Sequence, residues 1–161
     1  MAKEKTPVTP AVRALRQAGV EYAPRPYAYE ERGGTAVASR ELKVDEHRVI
    51  KTIVLEDESG RPLLVLMHGD RQVSTKTLAR ILGVKQLSPC DPATVTRHTG
   101  YQVGGVSPFG TRRPLPVYVE RGVLELQSIF INGGKRGFLV QMDPRHMAKA
   151  LRVTPVEASQ D

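Results

Sequence analysis

The run Val49-Ile50-Lys51-Thr52-Ile53-Val54-Leu55 constrains this chain more than any other stretch. It is rich in β-branched residues, which favour a pleated strand over a helix. Glu56 to Pro62 then reads as a hairpin turn, and Leu63 to Met67 as the returning strand. One residue interrupts the apolar run. The ammonium group of Lys51 must face solvent, a cavity or an anion, because a bare charge in a core is too costly. An outward-facing strand lysine and a lysine aimed into a site both satisfy that condition.

The flanking segments carry clear start and stop signals. Thr9-Pro10 opens a helix along Val12, Leu15 and Ala18, and Gly19 closes it. Pro24 to Tyr29 is extended, with its prolines keeping it away from a sheet centre. Glu30 to Gly34 is a loop, and a short helix spans Thr35 to Leu42 before a turn near Asp45. Ser74 caps a helix over Thr75 to Leu82, ended by Gly83, and Asp91-Pro92 starts another that Gly100 closes. Val84 to Leu87, Pro116 to Glu120, Ser128 to Asn132 and Gly137 to Met142 read as strands. Gly122 to Leu126 is a helical turn, Asn132 to Lys135 a hairpin turn, and Asp143-Pro144 caps a last helix to Leu151. Roughly six or seven strands and about five helices in mixed order predict an α+β fold. No linker or repeat divides it, so a single domain over residues 1–161 is expected.

Composition narrows the setting. The lone Cys90 excludes an internal disulfide framework and fits a reducing, cytoplasmic environment. No apolar run approaches a membrane span, and MAKEKTPVTP lacks the apolar segment of a secretory signal. The 24 Lys and Arg against 17 Asp and Glu give a net charge of +7, a sign that favours polyanions such as nucleic acid. The excess lies in folded-looking segments, at Lys76, Arg80, Lys85, Arg112, Arg113, Lys135 and Arg136, which predicts a shaped face and not a disordered arm.

The stretch Tyr101-Gln102-Val103-Gly104-Gly105-Val106-Ser107-Pro108-Phe109-Gly110 is the second organising feature. Adjacent glycines let backbone amides approach a ligand closely, and Pro108 holds Ser107 in extended geometry. Such a loop can bind an anion or a polarised carbonyl oxygen, and it can equally be a structural turn. It is not a phosphate-binding loop of the Gly-Lys-Ser/Thr kind. His47, His68, His98 and His146 form no metal-binding pair and there is no cysteine cluster, so no metal and no cofactor are expected. Gly-x-Ser-x-Gly is absent, leaving a covalent mechanism through a protein nucleophile without support. Gly133-Gly134-Lys135-Arg136-Gly137 reads as a charged hairpin turn or a phosphate-contacting loop.

Taken together, Thr9-Pro10-Ala11-Val12, Tyr29-Glu30, Val49-Ile50-Lys51-Thr52, Thr75-Lys76, Thr99 to Pro108 and Gly133 to Gly137 resemble the YbaK/EbsC family of aminoacyl-tRNA editing proteins, in order along nearly the whole chain. The resemblance implies a mixed, barrel-like β-sheet surrounded by short helices, with a pocket for the aminoacyl-adenosine end of tRNA. It implies Lys51 as the key lysine and a catalytic loop of Gly104, Gly105, Ser107 and Pro108, whose backbone holds the aminoacyl carbonyl. Tyr29, Thr52, Lys76, Val106, Phe109, Asn132, Gly133, Gly134, Lys135 and Arg136 are the implied substrate- and tRNA-binding residues. The implied activity is deacylation of Cys-tRNA(Pro) in trans, with prolyl-tRNA synthetase as a docking partner and no membrane. In cysteine-specific members the substrate's thiol attacks its own ester and leaves as a thiolactone. Deacylation of another small aminoacyl-tRNA such as Ala-tRNA(Pro), and a non-catalytic tRNA- or nucleotide-binding module, are the alternatives. Asn132 stands where family members often carry Ser, and Leu139 where some carry an acidic residue, which bears on amino-acid selectivity.

Overall fold

A computed structural model describes residues 6–161. In chain order the elements are α1 (Pro10–Gln17), β1 (Ala23–Pro26), α2 (Gly34–Leu42), a 3-10 turn (Glu46–Arg48), β2 (Val49–Asp57), β3 (Pro62–His68), β4 (Gln72–Val73), α3 (Thr75–Leu82), β5 (Leu87–Pro89) and α4 (Pro92–Thr99). There follow β6 (Val117–Glu120), α5 (Arg121–Leu124), β7 (Ile129–Lys135), β8 (Phe138–Met142), a 3-10 turn (Pro144–Lys149), β9 (Val153–Val156) and β10 (Ser159–Gln160). The predicted caps are in place: the side chains of Thr9, Ser74 and Asp91 accept from the amides of Val12, Thr77 and Thr94.

The main sheet runs β1-β8-β7-β2-β3-β6-β9, with β5 added on β2, and short helices surround it as the α+β expectation required. It is mixed. The β2–β3 hairpin is antiparallel, whereas β7 on β2, β6 on β3 and β9 on β6 are parallel. Alternation along β2 explains its composition. Ile50 and Val54 join Leu64 and Leu66 of β3 in a core roofed by Val12 and Leu15 of α1, Val95 of α4 and Val123 of α5. Leu55 points the other way, with Leu63 and Val65, against Leu78 and Ala79 of α3. Val49 packs beside Ala38 of α2, Phe130 and Leu139. Both sheet faces are covered, which is why β2 and β3 read as near-continuous apolar runs.

Several boundaries differ from the sequence expectation. The strand expected over Val84 to Leu87 lies at Leu87–Pro89, because Leu87 to Pro89 pair antiparallel with Leu55 to Asp57. Asn132 to Lys135 is not the hairpin turn: β7 continues to Lys135 through a bulge, and the reversal falls at Arg136 and Gly137. The last helix is a 3-10 turn ending at Lys149. Strands β4, β9 and β10 have no alternating apolar signal of their own and were not anticipated.

Candidate functional site

The site arises where the middle of the sheet splits. Along one edge, β2 pairs with β7 only at Val49 and Ile50, and with β5 only from Leu55 to Asp57. Lys51 to Ile53 have no partner strand on that side. The carbonyl of Val54 accepts from the amide of Cys90, so the main chain of Thr52, two residues earlier, faces the same open edge. Into this split opens a cavity of about 660 Å³, within the range of small-molecule sites. Its wall includes Tyr29, Lys51, Thr52, Cys90, Gly104, Val106, Asn132 and Arg136.

Lys51 is half-buried, and its Nζ donates to the carbonyl oxygen of Arg71 in the β3–β4 turn. Burial lowers its pKa, opposed by the carboxylates of Glu46 and Asp70. That turn is itself anchored. Thr35 Oγ1 donates to Glu46 Oε2 at 2.8 Å and lies 3.2 Å from the Gly69 carbonyl oxygen. A Cβ on Gly69 would lie 2.6 Å from the Val49 oxygen, so the turn can press this close only because residue 69 is glycine. The lysine therefore stands on a fixed strand with a fixed acceptor, and it is not the outward-facing alternative. The hydroxyl of Thr52 is buried without a hydrogen-bond partner among the described residues.

The glycine loop and the β7–β8 reversal, distant in sequence, are locked together. Asn132 Nδ2 donates to the Gly104 carbonyl at 3.1 Å, and Arg136 Nε donates to the Val103 carbonyl at 2.9 Å. Asn132 Oδ1 accepts from the amides of Gly134 and Lys135, shaping the bulge, and Thr9 Oγ1 ties α1 to the Gly133 carbonyl. The Arg136 guanidinium also lies 5.4 Å from the Tyr29 ring centroid, closing the pocket rim. Within the loop the Gly105 amide donates to the Gln102 carbonyl, so Gly104 and Val106 are the glycine-loop candidates that reach the cavity wall.

The other candidates lie behind or away from the cavity. Ser107 is fully buried and its Oγ accepts from the Phe109 amide; Phe109 itself is part of the main core. Pro108 lies in the glycine loop, Gly133 and Gly134 lie in the bulge of β7, and Lys135 is exposed at that strand's end. Lys76 lies on α3, in a separate groove. Sequence reasoning did not single out Cys90 as a wall residue. Burial, then the neighbouring Glu56 carboxylate, pushes its thiol up to about 11. Two histidines are held inside the fold: His68 Nδ1 lies 2.8 Å from the His47 carbonyl oxygen, and His98 Nδ1 accepts from Arg113 while its Nε2 has no partner among the described residues. No group of three or more His, Cys, Asp or Glu among the described residues could hold a metal.

Known proteins resemble this chain in sequence and in fold. The family model for the aminoacyl-tRNA editing domain matches residues 30–150. EbsC of Enterococcus faecalis, named provisionally as a Cys-tRNA(Pro)/Cys-tRNA(Cys) deacylase, is 30% identical over 146 residues, covering 89% of each chain. A proline–tRNA ligase of Moorella thermoacetica is 32% identical over 104 residues, which is 64% of this chain and 18% of the ligase. The crystal structure of a provisionally named trans-editing enzyme for prolyl-tRNA synthetase superposes with a TM-score of 0.80 at 22% identity, covering 96% of this chain and all of that one, a likeness of fold.

Proposed function

Because this chain belongs to the aminoacyl-tRNA editing domain family, we propose that it acts in trans to deacylate Cys-tRNA(Pro), with the substrate's own thiol as the nucleophile. The observation that carries this reading is the state of Cys90. It is the chain's one thiol, it lines the cavity, and a value near 11 keeps it protonated at neutral pH. The protein therefore brings no thiolate of its own.

In the proposed step the cysteinyl sulfur gives up its proton and forms a bond to the ester carbonyl carbon. The bond from that carbon to the terminal ribose oxygen then breaks. The ribose oxygen takes up a proton, and cysteine leaves as a thiolactone. Attack within one molecule removes the entropy of bringing two reactants together, an advantage of several kcal/mol against which the strain of the four-membered ring counts. The pocket's part is to hold the ester against the open β2 edge and the Gly104–Val106 peptide groups. The ammonium of Lys51 offsets charge developing on the ester oxygens. Likeness to part of the proline–tRNA ligases supports tRNA(Pro) as the carrier, and prolyl-tRNA synthetase as a docking partner.

Deacylation assays on tRNA(Pro) charged with cysteine, serine or alanine test the reading. Cysteine is expected to be released quickly, serine slowly and alanine hardly at all, and Cys90→Ala is expected to keep the activity. Rapid release of alanine would make water the nucleophile, and loss of activity in a folded Cys90→Ala protein would return the thiol to the protein.

A further inference from the structure

We propose that the groove on α3 is a second contact surface, which grips the phosphodiester backbone of the RNA whose aminoacylated end enters the cavity. The inference rests on the functional reading above and extends it to the rest of the substrate.

The groove, about 460 Å³ in volume, is lined by Thr75, Lys76, Ala79, Arg80, Lys85 and Leu87 among others. Lys76, Arg80 and Lys85 are exposed along it. Lys76 and Arg80 are four residues apart on α3, so their side chains lie on one face about 6 Å apart at Cβ, a spacing of the order of successive phosphates on one strand. None of the three makes an ion pair or side-chain hydrogen bond with a described residue. Many other arginines are already engaged: Arg40 with Glu30, Arg61 with Asp57, Arg71 with Asp161, Arg145 with Asp143, Arg113 with His98, and Arg136 with Val103 and Tyr29. Glu58, the acid beside the groove, accepts from the amides of Lys85 and Gln86 and stays ionised there, one negative charge against the three cations. A set of cations without partners is suited to an external polyanion, since no internal pair must break when it binds.

Position supplies the second argument. Strand β5 lies between the two concavities: Leu87 floors the groove, while Pro89 and the adjoining Cys90 line the cavity. From Leu87 to Pro89 the strand advances about 7 Å. A terminal aminoacyl-nucleoside fits the cavity's volume of about 660 Å³. The nucleotides before it leave across the rim, and on the Pro89 side of that rim a short crossing leads to Lys85, Arg80 and Lys76.

The test compares two substrates and one binding curve. The variant is the triple Lys76→Gln, Arg80→Gln, Lys85→Gln. The control triple, Arg13→Gln, Arg16→Gln, Arg152→Gln, removes the same charge from exposed positions elsewhere. Both are assayed on Cys-tRNA(Pro) and on the cysteinyl ester of adenosine, which carries no phosphodiester, and uncharged tRNA(Pro) binding is followed against salt. For the α3 triple we expect kcat/KM on Cys-tRNA(Pro) to fall at least tenfold, with the adenosine ester changing less than twofold. The slope of log affinity on log salt should become shallower by about 2, at roughly 0.7 per lost single-strand phosphate contact. The control triple should do neither. Equal losses on both substrates, an unchanged salt slope, or an equal effect of the control triple would each overturn the proposal. If the wild type deacylates neither substrate, it is the functional reading that fails, and the salt slope still decides the groove.

Discussion

At the scale of single residues, Lys51 is where the proposed chemistry concentrates. Its Nζ is set on β2 and held by the Arg71 carbonyl, beside Glu46 and Asp70. Lys51→Ala is expected to lower the single-turnover deacylation rate on the order of a hundredfold, as removal of one preorganised charge contact commonly does, with the melting temperature little changed. Near-normal turnover in the folded variant would remove Lys51 from the mechanism. The lysine was legible in the sequence because a lone cation in a β-branched run demands an explanation. Cys90 was not, because the strand that carries it to the cavity wall, at Ser88 and Pro89, has no apolar alternation. The turn that holds Lys51 was equally hidden. Nothing in His68-Gly69-Asp70-Arg71 shows that a carbonyl there will meet a side chain twenty residues earlier.

At the scale of elements, the docking of the glycine loop on the β7–β8 reversal makes the site one piece. Both motifs stood out in the sequence as glycine-rich turns, but their mutual contact depends on the bulge that Asn132 shapes. A Cβ at Gly105 would lie 2.8 Å from the Arg136 nitrogen and 3.0 Å from the Lys135 carbonyl carbon, backbone against backbone. Gly105→Ala is therefore expected to push the two turns apart, costing about 1–3 kcal/mol of stability as overpacking usually does, and lowering activity with it. Thermal melting and the deacylation assay on the same protein check this; full stability would mean that the two turns can slide past each other. The helix starts were the most legible elements. Thr9, Ser74 and Asp91 cap helices for local reasons, whereas β9 and β10 form only because β6 and β4 are there to receive them.

At the scale of the whole molecule, two buried histidines link stability to pH. Burial lowers the pKa of both His68 and His98, and the Arg113 guanidinium adds to the effect at His98. The folded chain thus binds protons less readily at these sites than the unfolded chain, whose histidines titrate at their ordinary value of 6.5. Stability from this source is complete above that pH and is lost as the pH falls below it towards the folded values. Melting temperatures measured down from neutral pH should decline from about 6.5, and less steeply in His98→Gln; a flat profile would show that both rings protonate without strain. The split in the sheet has a consequence for time as well as for shape. Thr52 sits in the middle strand of the seven-strand path, yet its main chain faces a gap, while Ile50 and Val54 on either side face β7 and β5. In deuterated water the Thr52 amide should label within the lifetime of the folded state, whereas the ladder amides around it wait for large-scale opening. Its labelling rate then reads cavity occupancy directly, and a bound aminoacyl group would slow it.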